Sequence, residues 1–138
     1  MVERTTLCTM AGAVRIQRKI LERMAAEARR APREECCGLL AGRDGVISEI
    51  FPARNALGSA TEFEIAPEEL FRIFREMREA GLEHLGIYHS HPAGPGEPSR
   101  RDVERAFYPE AAYFVISEET KAFVIREGRV EELKIRIV

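Results

Sequence analysis

The sequence predicts a single α/β domain of the α+β type over residues 1–138, with a curved, largely antiparallel mixed β-sheet flanked by helices. Three observations predict it. Residues 16–30 and 67–80 carry apolar side chains at helical spacing. Short apolar or alternating runs of strand length lie between and after them. Residues 112–137 divide into three such runs joined by tight links.

Taken in order, Ile16, Ile20, Leu21, Met24 and Ala28 recur at helical spacing, and Pro32 stops the helix. Residues 36–41 are a mostly apolar run of strand length, and Gly42-Arg43-Asp44-Gly45 turns it back into a second strand at 46–51. A polar link over 53–61 leads to Phe63 and Ile65, an alternating strand fragment. Pro67 opens a helix with Leu70, Phe71, Phe74 and Met77 on one side, and Gly81 closes it. Residues 86–91 read as a strand, and 99–107 as a short helix. Three strands at 112–116, 122–126 and 130–137 finish the chain as a meander.

Composition narrows the function classes. At 138 residues the chain is of single-domain size and can bury a core. A hydrophobic share of 45% with 32% charge describes an ordered globular protein. The net charge of −2, with both signs interspersed, supplies no field to attract nucleic acid. No apolar run is long enough to span a bilayer, so no membrane partner is expected. The opening residues Met1-Val2-Glu3-Arg4-Thr5-Thr6 lack the basic-then-apolar form of a signal peptide. Three cysteines, Cys8, Cys36 and Cys37, are an odd number with two adjacent. They make no disulfide framework and fit a cytoplasmic protein.

The chemistry concentrates in one run. His89-Ser90-His91 is followed, after a link containing three prolines and two glycines, by Ser99-x-x-Asp102. On a strand, His89 and His91 project from the same face, because side chains alternate with period two. The turning link can return Asp102 as a third ligand. Two imidazoles and one carboxylate leave a fourth tetrahedral position for water, the arrangement of a catalytic zinc. Each piece also has a plain structural reading. Ser99-x-x-Asp102 is a helix-start signal, and His-x-His occurs in ordinary strands. His84 has the opposite parity to His89 and His91, so it is expected to face away. A zinc deaminase would need His-x-Glu followed by Pro-Cys-x-x-Cys, and neither occurs.

His89-Ser90-His91-Pro92, the Gly/Pro-rich link and Pro98-Ser99-x-x-Asp102 resemble the signature of the JAMM (MPN-plus) metalloproteases. That family also carries an upstream glutamate in a segment of the type Glu-x-Cys-Gly-Leu-Leu, matched here by Glu35-Cys36-Cys37-Gly38-Leu39-Leu40. Glu34 is one residue out of that register. The resemblance spans nearly the whole chain and implies a cytidine-deaminase-like MPN/JAMM domain. It implies one Zn²⁺ per chain on His89, His91 and Asp102, with Glu35 as general base and Ser99 as donor to the oxyanion. Ser90 would point to the opposite face. Alternation sends Cys36 and Cys37 to opposite faces, as small apolar core residues.

The resemblance further implies hydrolysis of the amide bond after the C-terminal Gly-Gly of a ubiquitin-like or sulfur-carrier β-grasp protein, releasing cysteine or another amine. No long insertion suited to gripping a second ubiquitin is present. Two other readings stand beside it: a peptidase for small or cell-wall peptides, and a metal-free MPN scaffold or binding module. The second usually lacks a ligand or the glutamate, and here none is missing. The oligomeric state stays open, a homodimer included.

Overall fold

A computed structural model describes residues 12–138; Cys8 and the opening hexapeptide lie outside the described residues. Its elements run β1 (Ala13–Ile16), α1 (Arg18–Arg30), β2 (Cys37–Arg43), β3 (Val46–Ala53), α2 (Pro67–Glu79), β4 (Glu83–Ser90), α3 (Arg100–Glu104), β5 (Ala112–Ile116), β6 (Thr120–Arg126) and β7 (Arg129–Ile137). The strands close into a barrel in the order β1-β3-β2-β4-β5-β6-β7. Most of the ladder is antiparallel; β4 runs parallel to β5, and β1 runs parallel to both β3 and β7.

The sheet is covered on both faces. One face packs Val14, Leu40, Tyr88 and Phe114 against Ile20 and Met24 of α1. The other packs Leu39, Ile87 and Tyr113 against Ile73 and Met77 of α2. Two of the connections are set by chain chemistry. Asp44-Gly45 and Glu127-Gly128 both have positive φ at each central residue, the primed turn that suits strand twist. Gly81, at φ 71, ends α2 with Gly81 N–H donating to Arg78 O and Leu82 N–H to Met77 O. No helix among the described residues is long and apolar enough to cross a membrane.

Several expected elements are corrected. The helix expected from residue 16 starts at Arg18, because Ile16 ends β1, a strand too short and too dependent on distant partners to read locally. Phe63 and Ile65 form no strand; their segment is held by side-chain bonds from Asn55. Phe71 is 62% exposed, since the buried stripe of α2 runs through Leu70, Ile73, Phe74 and Met77. The helix expected to reach 107 ends at Glu104, where Arg105 leaves helical backbone at φ −103 and ψ 15 with its N–H donating to Arg101 O. His91 lies one residue past the end of β4.

Gly38 earns its place in the motif sterically. A Cβ there would lie 2.6 Å from both Phe51 O and the Tyr88 side chain.

Candidate metal centre

Three elements converge at the end of β4. The β2–β4 ladder is antiparallel with Cys37 opposite His89, so the residues leading into β2 lie beside those leaving β4. Glu35 therefore comes next to His91. Two bonds fix this crossing: Ser90 N–H donates to Cys36 O at 3.0 Å, and Cys36 N–H donates to Ser90 Oγ at 2.9 Å. His91 N–H reaches across to Ile116 O at 2.8 Å. The third contributor is the first turn of α3. Ser99 caps it, accepting from Asp102 N–H at 3.1 Å while Ser99 N–H donates to Asp102 Oδ2 at 2.8 Å. The capping box that starts the helix also aims its carboxylate.

Donor atoms of Glu35, His89, His91 and Asp102 all lie within 4.8 Å of one another. Nε2 of His89 and Nε2 of His91 are 3.0 Å apart, and Asp102 Oδ2 lies 3.0 and 3.1 Å from them. His91 Nδ1 is 2.8 Å from Pro95 O. A carbonyl only accepts, so Nδ1 carries the proton and Nε2 presents its lone pair. Lone pairs crowded this closely repel unless a proton or a cation sits among them. The donor set of two imidazoles and a carboxylate fits a divalent ion with room for a further ligand.

The surroundings prepare each group differently. Burial would push the Asp102 carboxyl up, but the His89 and His91 bonds outweigh it and hold it well below the usual carboxylate range. His89 is pulled down by burial, which favours the neutral, ligating form. Its Nδ1 is buried with no partner among the described residues, and its ring instead stacks on Phe63, centroids 4.6 Å apart at 22°. Burial pushes Glu35 up to about 7, with His91 opposing and Asp102 adding to the rise. Glu35 Oε1 is buried without a partner among the described residues.

All five residues singled out from the motifs come together. Glu35, His91 and Ser99 line a pocket of about 240 Å³ whose remaining walls are Ala60, Thr61, Ala93, Gly94 and Pro95. Phe63 also lines an apolar hollow of about 270 Å³, together with Leu39, Ile87 and Tyr113. Ser90 turns away and holds Cys36, as expected. Cys36 and Cys37 enter opposite core clusters, neither joins the metal cluster, and burial pushes both thiols up, Cys36 to about 11. His84 is a correction. A bulge pairs Leu40 with Gly86 but Ala41 with His84, which reverses the alternation and brings His84 to the α2 side. It stays out of the centre for another reason, wedged between Phe74 and Tyr108 with its ring pulled down to about 4 by burial. Sequence reading missed the roles of Asn55 and Phe63; an asparagine flanked by a polar link gave no metal or catalytic signal.

The family described as prokaryotic homologs of the JAB domain matches residues 17–130. The chain is 36% identical over 104 residues to the desampylase of Pyrococcus furiosus, covering 73% of this chain and 74% of that protein. It is 34% identical over 131 residues to the CysO-cysteine peptidase of Mycobacterium tuberculosis, covering 89% and 90%. Among solved structures it is similar to protein DSY2949 from Desulfitobacterium hafniense, at a TM-score of 0.79 and 36% identity, over 89% of this chain and 91% of that one.

Two outcomes follow from the electrostatics and packing. Without metal, Glu35 holds its proton more tightly folded than unfolded, so stability present below about pH 4.5 is lost as pH rises through about 7. Burial pulls the His91 ring down, but its bond to Asp102 outweighs this and holds it above its ordinary value, adding a loss of the same sign. His84 and His89, both pulled down by burial, act with the opposite sign as pH rises, so across pH 4.5–7 the melting temperature of the metal-free protein should drop relative to that of metal-free Glu35→Gln; parallel curves in calorimetry would contradict a buried, proton-retaining Glu35. Phe63→Ala, which frees the His89 ring, should weaken metal binding about tenfold in a competitive Zn²⁺ titration.

Proposed function

The chain belongs to the prokaryotic JAB-domain family, the JAMM metallopeptidases, and on that premise we propose that it hydrolyses the amide bond after the C-terminal Gly-Gly of a ubiquitin-like or sulfur-carrier protein. The observation that carries the proposal is the convergence of Nε2 of His89, Nε2 of His91 and Asp102 Oδ2 within 3.1 Å, beside the buried carboxyl of Glu35.

His89, His91 and Asp102 would hold one Zn²⁺. The ion supplies Lewis acidity, which polarises the scissile carbonyl and makes water a competent nucleophile at neutral pH. The remaining roles fall to the chain. Glu35 takes a proton from the attacking water and passes it to the departing amine, and its raised affinity for protons suits both steps. Ser99 Oγ is occupied as an acceptor by the helix cap, so its own hydrogen is free to donate to the developing oxyanion.

Substrate class follows from the shape of the pocket and the names of the relatives. The walls beside Glu35 are small residues, which suits a tail whose last two positions carry no side chain. One similar protein is named CysO-cysteine peptidase and another desampylase. Cysteine or another amine is therefore the proposed leaving group. The unpaired thiols of Cys36 and Cys37 support a reducing, cytoplasmic setting. A metal-free scaffold role finds no support in a site that keeps all four polar groups.

The test is intact-mass spectrometry of a β-grasp carrier bearing a C-terminal cysteine after its Gly-Gly, incubated with each form of the protein. Wild type should remove one cysteine. Glu35→Gln should bind Zn²⁺ yet leave the carrier intact, and Asp102→Asn should lose Zn²⁺ affinity. Ser99→Ala should slow the reaction by about 10²–10³. Full activity in Glu35→Gln would refute the general-base assignment.

A further inference from the structure

Asn55 belongs to no part of the chemistry above, yet it is 4% exposed and makes more side-chain hydrogen bonds than a loop needs for itself. Its Nδ2 donates to Glu35 O at 3.0 Å, Glu62 O at 3.0 Å and Ser59 O at 3.3 Å. Its Oδ1 accepts from Leu57 N–H at 3.1 Å and Glu64 N–H at 3.2 Å. The loop that it gathers returns a bond to the same place, Ser59 O accepting from Glu35 N–H at 2.8 Å.

Glu35 needs this support. It lies outside β2, which begins at Cys37, so no strand ladder satisfies its backbone. Its side chain offers no anchor either, since Oε1 has no partner among the described residues. Both backbone polar groups of Glu35 are instead bound by the 55–64 loop, one directly by Asn55 and one by a carbonyl that Asn55 also holds. The direction of the Glu35 carboxyl is thus set from behind, through its main chain.

We propose that Asn55 is a positioning residue for the general base: by tying the 55–64 loop to the backbone of Glu35, it holds the Glu35 carboxyl at the centre formed by His89, His91 and Asp102. The inference rests on the general-base role proposed for Glu35. Glu35 hangs on this loop by both backbone groups, whereas the metal ligands meet it less directly, His89 through the Phe63 ring and α3 through the Arg101–Glu62 ion pair, so changing Asn55 should cost catalysis more than metal binding.

Asn55→Asp keeps the size and the acceptor but turns an oxygen toward three carbonyl oxygens. At saturating Zn²⁺ it should lower kcat about 10–100-fold with KM within twofold of wild type, while Zn²⁺ affinity falls by less than the tenfold expected of Phe63→Ala. Tyr88→Phe is the control; it removes the 2.6 Å bond to Glu27 of α1 and should lower the melting temperature with kcat unchanged. Amide hydrogen exchange supplies a readout independent of substrate. In wild type the Glu35 amide should be protected, and in Asn55→Asp it should exchange faster together with Glu64, while the His91 amide, bound to Ile116 O, stays protected. Three results would overturn the inference: an unprotected Glu35 amide in wild type, an unchanged kcat in the folded variant, or losses of Zn²⁺ affinity and KM matching the loss of kcat. If wild type cleaves no carrier, the function proposed above fails, and the exchange data alone decide whether Asn55 positions Glu35.

Discussion

Pairing Cys37 with His89 in the antiparallel β2–β4 ladder is the constraint from which the centre follows. It sets Glu35 beside His91 at the point where both strands run out, and it turns His89 and Leu39 to one face while Tyr88 and Leu40 face the other. A slip of one residue would move the His89 imidazole into the cluster packed on α1 and replace it with Ser90. The sequence resists that slip. Gly38 accepts the Tyr88 side chain and the Phe51 carbonyl where any Cβ would collide, and Ser90 and Cys36 exchange two hydrogen bonds at the crossing.

The ladder carries His89 and sets Glu35 and His91 just beyond its end, and the helix cap supplies the fourth polar group. Ser99 and Asp102 form a capping box, so the energy that starts α3 also immobilises the carboxylate that both imidazoles face. The result is poorly suited to a metal-free protein. Four ionisable groups are withdrawn from water, one carboxyl is pushed up and another held far down, and two buried polar atoms find no partner among the described residues. Such local conflict is expected where a fold is shaped for a ligand rather than for its own stability.

The site was far more legible in the sequence than the architecture that carries it. His89 and His91 follow from strand parity, and Ser99 with Asp102 follows from helix-start chemistry, because both rest on local periodicity. Glu35 needed the family resemblance, since nothing local links it to a histidine so far along the chain. β1 was invisible because it gains meaning only through parallel pairing with β3 and β7. The bulge at Leu85 defeated the parity argument for His84, as alternation holds only while the ladder is regular. Phe63 was read as a strand residue, yet its segment is shaped by the side chain of Asn55, a long-range device that leaves no periodic trace.

The central claim is that two imidazoles and one carboxylate, with no thiolate, hold a single metal ion. X-ray absorption at the zinc edge of the loaded protein tests it most directly. One zinc per chain with a first shell of nitrogen and oxygen near 2.0 Å, and no sulfur, is the expected result. A sulfur ligand near 2.3 Å would bring a cysteine into the shell and contradict the account, as would a protein that retains no zinc.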